Sequence, residues 1–154
     1  EEKSRRDLSE IPRDDQQKLR WLPWVIVILA LIGFADAAYL TAEHFLGVVP
    51  VCTVTQGCGT VLTSQFAAVG PVPLALVGAL YYLVVFAIAL MTAPTPPKRA
   101  VQFLLVLTSL GFLTSLGLVG VQAFILHAFC LYCLVSAGSS TLLFLATIGL
   151  SHRR

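Results

Sequence analysis

Four cysteines, Cys52, Cys58, Cys130 and Cys133, are the residues of this chain best placed by type and spacing to do covalent chemistry. Cys130-Leu131-Tyr132-Cys133 is a CxxC. On a helix, positions i and i+3 share a face, so both sulfurs point the same way. At a helix start the unpaired N–H groups and the macrodipole favour a thiolate, and such motifs hold a cysteine pKa below about 8.5. Cys52 and Cys58 enclose Thr53-Val54-Thr55-Gln56-Gly57. Bridging them needs Cα atoms about 4.4–6.8 Å apart. Gly57 and Gly59 permit the tight turn and leave the segment mobile, so that it can face an outside protein and swing to the second pair. From Gly59 to Phe66, Val61, Leu62, Gln65 and Phe66 fall at helical spacing and predict a short interfacial helix lying over the CxxC as a lid. Thiol–disulfide exchange is the reading this layout favours. Two structural disulfides, a four-cysteine zinc site (which usually has tighter paired spacings) and buried inert thiols are the alternatives. No His follows the CxxC, so covalent haem is not suggested.

The elements that must hold these sulfurs are membrane helices. The chain has 154 residues, 57% hydrophobic and only 12% charged, against about 25% charged in soluble domains. Its mean hydropathy is +0.86, more apolar surface than one water-soluble core of this size can bury. Neither the stretch between Glu43 and Lys98 nor that between Arg99 and Arg153 contains Asp, Glu, Lys or Arg. A bilayer core of roughly 30 Å takes about 20 apolar helical residues. Four segments qualify: Pro23 to Glu43, Val72 to Thr92, Val101 to Leu126 and Ala128 to Leu150. Gly70-Pro71-Val72-Pro73 opens the second span, and Pro94-Thr95-Pro96-Pro97 closes it in a tight connector. The fold expected is an all-α membrane protein, a four-transmembrane-helix bundle with one short interfacial helix in the first outer loop. Its parts are a cytoplasmic tail over 1–22, poorly ordered through Arg20, a membrane domain over 23–150 and a cytoplasmic tail over 151–154. The apolar run after the first tail is too long for a secretory signal.

All ten basic residues fall in the N-terminal tail, the second connector or the last two positions. An even number of spans puts these on one side, which the positive-inside rule makes cytoplasmic. Trp21 and Trp24 suit an interfacial anchor there. The segment His44 to Gly70 and the joint at His127 then lie outside, with all four cysteines, where disulfides persist. Gly33 and Ala37 in span one, and Gly111, Gly117 and Gly120 in span three, read as close-packing positions.

Four spans, Cys52 and Cys58 in an outer loop, Ser64 six residues later, Gly78 in span two and CLYC opening span four resemble the vitamin K epoxide reductase family, its bacterial homologues most. The resemblance covers roughly residues 23 to 150. Other quinone-coupled disulfide generators place CxxC in the first outer loop; here it comes second. The resemblance implies that a separate thioredoxin-fold, DsbA-like periplasmic protein delivers electrons to Cys52. Cys58 passes them to Cys130, and Cys133 is the thiolate that reduces a membrane quinone. Animal members carry an Asn early in span two and a Tyr four residues after the second CxxC cysteine. Here those positions are Leu74 and Ala137, which turns the expectation from vitamin K epoxide toward ubiquinone or menaquinone. With Ser64 and Phe129 they form the expected quinone pocket. The chain ends at Arg154 with no fused thioredoxin-like domain, hence a separate partner in the bacterial inner membrane setting; neither nucleic acid nor metal is expected. Vitamin K quinone or epoxide reduction is the alternative activity. A disulfide-stapled scaffold or small transporter is the alternative of another class.

Other polar residues have two readings each. Asp36 lies about 20 Å along span one, for proton delivery, loop anchoring or a helix-packing hydrogen bond; an intramembrane charge is costly and faces the bundle. Tyr39, Tyr81, Tyr82 and Phe129 are candidates for an aromatic slot or for packing. His44 and His127, near the outer surface, are candidate proton donors.

Overall fold

The computed structural model describes residues 13–153. Residues 1–12, most of the expected N-terminal tail, and Arg154 lie outside the described residues. In chain order the elements are α1 (Arg13–Leu46), α2 (Cys58–Leu62), β1 (Ala68–Val69), β2 (Val72–Pro73), α3 (Leu74–Thr92), α4 (Lys98–Phe124) and α5 (Leu131–His152). Helices α1, α3, α4 and α5 are each long and apolar enough to cross a bilayer, and the chain is an integral membrane protein of the all-α, four-helix class.

Helix α1 starts at Arg13, so the stretch from Arg13 to Arg20 is helical and not a disordered tail. An apolar helix that already exists extends cheaply into adjoining polar residues. Asp14 in its first turn also complements the macrodipole. At 34 residues it is about 50 Å long, so its first turns project beyond the hydrocarbon core. Trp21 and Trp24 are exposed where it leaves that projection.

Helix α1 is the spine, packing on α3 and α5, while α5 packs on α4; α3 and α4 touch much less than these neighbours do. The core between them includes Ile26, Ala30, Val85, Leu104, Leu143 and Leu150. Outward-facing Ile28, Leu80, Leu113, Leu116 and Leu145 are exposed and suit lipid contact. A Cβ on Gly33 would fall on the Tyr82 ring. Tyr82 can therefore cross from α3 over α1, and its hydroxyl donates to the Ser136 carbonyl of α5 at 2.6 Å. Gly111 likewise makes room for the Tyr81 hydroxyl, but a Cβ at Gly117 or Gly120 would meet nothing within 4 Å among the described residues, so neither serves helix packing there.

By the turn chemistry of Gly70-Pro71-Val72-Pro73, the second span is expected to open at Val72. In the structure Val72 and Pro73 form β2, paired antiparallel to β1 with Val69 opposite Val72. Gly70 at φ 62° supplies the positive φ a two-residue hairpin turn needs. Strands two residues long leave no alternation to read. The lid helix is also shorter than expected, ending at Leu62, and turns replace it from Thr63 to Phe66.

Candidate redox site

Cys52 and Cys58 form a disulfide with Cα atoms 6.0 Å apart, and Cys130 and Cys133 are free thiols. The sulfurs of Cys52, Cys58 and Cys130 all lie within 4.8 Å of one another. Cys58 and Cys130 are fully buried, and Cys52 is half-buried. Only Cys52 of this trio therefore offers an approach from outside. Three sulfurs at this spacing also resemble a soft-metal ligand set, but a disulfide offers no thiolate to a metal.

Backbone geometry brings the loop to the CxxC. Gly57 precedes α2 with φ −88°, a conformation open to any residue. Its requirement is space: a Cβ there would sit 2.5 Å from the Phe129 carbonyl oxygen and 2.6 Å from the Phe129 nitrogen. The sequence reading took this glycine as a source of mobility; the structure makes it a point of close approach. Phe129 itself does not line the quinone-sized cavity described below. Its ring is exposed, and its backbone is the surface on which the loop rests.

A residue the sequence reading missed holds the CxxC. Gln122, buried near the end of α4, accepts a hydrogen bond from the Cys130 backbone N–H through Oε1 at 2.9 Å, and its carbonyl accepts from Ala128 N–H at 3.1 Å. Between them His127 turns the chain at φ 49°, sparsely populated for a residue with a Cβ. The signal was present in the sequence: an uncharged amide in an apolar span one turn before the joint, where something must satisfy backbone donors.

Cys130 caps the start of α5. Its thiol is lowered to about 7, chiefly by the hydrogen bond from Cys133. Burial opposes that shift, and the N–H groups of Cys133 and Tyr132 assist it. The helix start thus favours a thiolate at Cys130 at near-neutral pH.

Cys133, one turn further, stays within hydrogen-bonding reach of Cys130 and on its other side borders open space. It lines a cavity of about 630 Å³ among α1, α3, α4, α5 and the outer loop, a cavity that Cys52, Cys58 and Cys130 do not line. Leu74 and Ala137 are on its wall, and both are apolar. Ser64 lines it too, but its hydroxyl donates to the Val61 carbonyl at 2.7 Å, so the proton serves the local turn. Asp36, His44, Tyr81 and Tyr82 also line it; Tyr39 and His127 do not. Tyr39 packs instead against the Tyr132 ring at 5.4 Å. Asp36 Oδ2, the Tyr81 hydroxyl and Ser140 Oγ are buried without a hydrogen-bond partner of good geometry. An apolar cavity of this size with a few unsatisfied oxygens suits a flat, oxygen-bearing apolar ring, and a quinone fits that description.

A disulfide and a dithiol stacked at one end of a four-helix membrane bundle define the class of protein. The model of the vitamin K epoxide reductase family matches residues 24–148, and the chain belongs to that family. No individual curated protein matches it. Family and geometry together make it a membrane thiol–disulfide oxidoreductase with a redox cysteine pair.

Proposed function

We propose that the chain passes electrons from a periplasmic thioredoxin-fold, DsbA-like unit through Cys52 and Cys58 to Cys130 and Cys133 and on to a membrane quinone, supporting disulfide formation. The observation that carries this is the division of the sulfurs. Three meet within 4.8 Å under the loop, and the fourth alone opens on the cavity. Half-buried Cys52 is the point of entry. A thiolate at Cys58 attacks the Cys130–Cys133 disulfide at Cys130, forming a mixed disulfide and releasing Cys133. The loop pair recloses as Cys52 displaces Cys130. Oxidation of the resulting dithiol releases two electrons and two protons, which a quinone takes up in becoming a quinol. Apolar walls keep water from the exposed sulfur while this happens.

Orientation follows from charge. Lys98 and Arg99 occupy the first turn of α4, where positive charge opposes the macrodipole. Helix stability does not explain them, and the positive-inside rule does. This supports cytoplasmic termini and periplasmic cysteines, in a bacterial inner membrane. Apolar Leu74 and Ala137 support ubiquinone or menaquinone over vitamin K epoxide, whose reduction is the second reading. Rates on ubiquinone-1, menadione and the epoxide separate the two.

Quantitative thiol trapping under reductant tests the relay. With ubiquinone-1, Cys130 and Cys133 are expected to become oxidised; without it, all four thiols are expected to be free. A stapled scaffold would keep both pairs oxidised in either condition, and that result would refute the proposal.

A further inference from the structure

The floor of the cavity carries a feature that the relay does not use. Tyr81 of α3 and Ser140 of α5 converge on Gly111 of α4: a Cβ at Gly111 would fall on the Tyr81 hydroxyl and 3.0 Å from Ser140 Oγ. Ser140 is 1% exposed. The two hydroxyls lie beside each other, neither makes a hydrogen bond of good geometry to any other described residue, and both residues line the cavity. Two hydroxyls side by side can commit only one of their two donors to each other, and a buried donor left over costs free energy, so the pair points to an acceptor on a ligand.

We infer that Tyr81 and Ser140 form a hydroxyl clamp for the carbonyl of a ring dione at the end remote from Cys133. The inference rests on the quinone reading above. Cys133, Ser136, Ala137 and Ser140 form one stripe along α5, at i, i+3, i+4 and i+7. Seven residues span about 10 Å along the axis. That length accommodates one hydrogen bond, a para-dione ring and a van der Waals contact to sulfur, laid end to end. The flank between is apolar, at Ala137 and, across the cavity, Leu74. Recognition thus sits deeper in the bundle than the two positions at which animal members carry polar side chains. Gly111 is part of the device, because any side chain there displaces the Tyr81 hydroxyl. Both hydroxyls donate in the ligand-bound state, so they read a carbonyl oxygen and not a donor group.

Tyr81→Phe, Ser140→Ala and the double variant test this in the full chain, with ubiquinone-1 as oxidant and dithiothreitol as reductant. Each single variant should raise KM about tenfold, the effect of one lost hydrogen bond to a bound ligand, with a smaller change in kcat. Quinone-free Tyr81→Phe should melt within a few degrees of the parent, because the hydroxyl it removes makes no hydrogen bond of good geometry. The rise in melting temperature on adding ubiquinone-1 should shrink. Unchanged KM and an unchanged quinone-induced melting shift would overturn the clamp while leaving the relay standing. A lower quinone-free melting temperature with the shift intact would assign both hydroxyls to packing, and overturn it as well. If the parent chain itself reduced no quinone, the relay and the clamp would fall together.

Discussion

The two ends of the bundle are built differently. The inner half is held by side chains: Ile26, Val85, Leu104 and Leu143 pack into one continuous core, and Thr108 and Thr147 return their hydroxyls to carbonyls of their own helices. The outer end holds a small separate cluster, Cys58, Val61 and Cys130. Backbone contacts position it: Gly57 against Phe129, the Cys130 N–H on Gln122, and a disulfide. One end sets where the helices stand. The other sets which sulfur meets which, with little packing energy of its own. Substitutions at the outer end should therefore change electron transfer more than stability, and those at the inner end the reverse.

The sharpest way to break this contrast is Cys133→Ala. It should abolish quinone-dependent turnover and leave the melting temperature within a few degrees, while exchange between an external dithiol and Cys52–Cys58 persists; substantial turnover would show that the cavity-facing sulfur is not the terminal donor. Next is Gly57→Val, whose side chain would strike the Phe129 backbone. Transfer from the loop to Cys130 should fall about 100-fold, read by the rate at which reduced Cys58 opens the Cys130–Cys133 disulfide. Gln122→Leu leaves a buried Cys130 N–H unsatisfied, at about 1–3 kcal/mol. It should slow the same exchange about tenfold, a larger change there than in overall melting. The mildest perturbation is pH. The Cys130 thiol is lowered to about 7 chiefly by Cys133, and only the thiolate exchanges. Exchange of Cys130 with the loop disulfide should thus rise as pH increases through about 7. Cys133→Ala removes that hydrogen bond, and the midpoint should move up toward the ordinary thiol range.

The same division governs what was legible in the sequence. The spans are plain because charge is confined to their ends, and the CxxC is plain because its spacing matches a helix face. Leu74 and Ala137, which the resemblance singles out for a quinone pocket, line the same cavity as Cys133. The start of α1 at Arg13 was not legible, since polar residues that continue a helix look like those of a tail. The Phe129 ring lies off the cavity, and the contact that matters there is between its backbone and Gly57, which a side-chain type does not announce. Gln122 and the Tyr81–Ser140 pair escaped because their roles depend on chain reversal and helix crossing, which bring together residues that no sequence period connects. Gly57 was noticed for the wrong property: freedom of φ is a local attribute of glycine, whereas close approach depends on a neighbour about 70 residues away.

If Cys58 hands electrons to Cys130, the two sulfurs must be able to pair directly. In a Cys52→Ser/Cys133→Ser double variant the remaining two sulfurs have only each other within one chain. Mass-spectrometric mapping after mild oxidation of the folded protein in membranes should find an intramolecular Cys58–Cys130 disulfide as the dominant species. Recovery of both as free thiols, or as cross-links between chains alone, would contradict the relay.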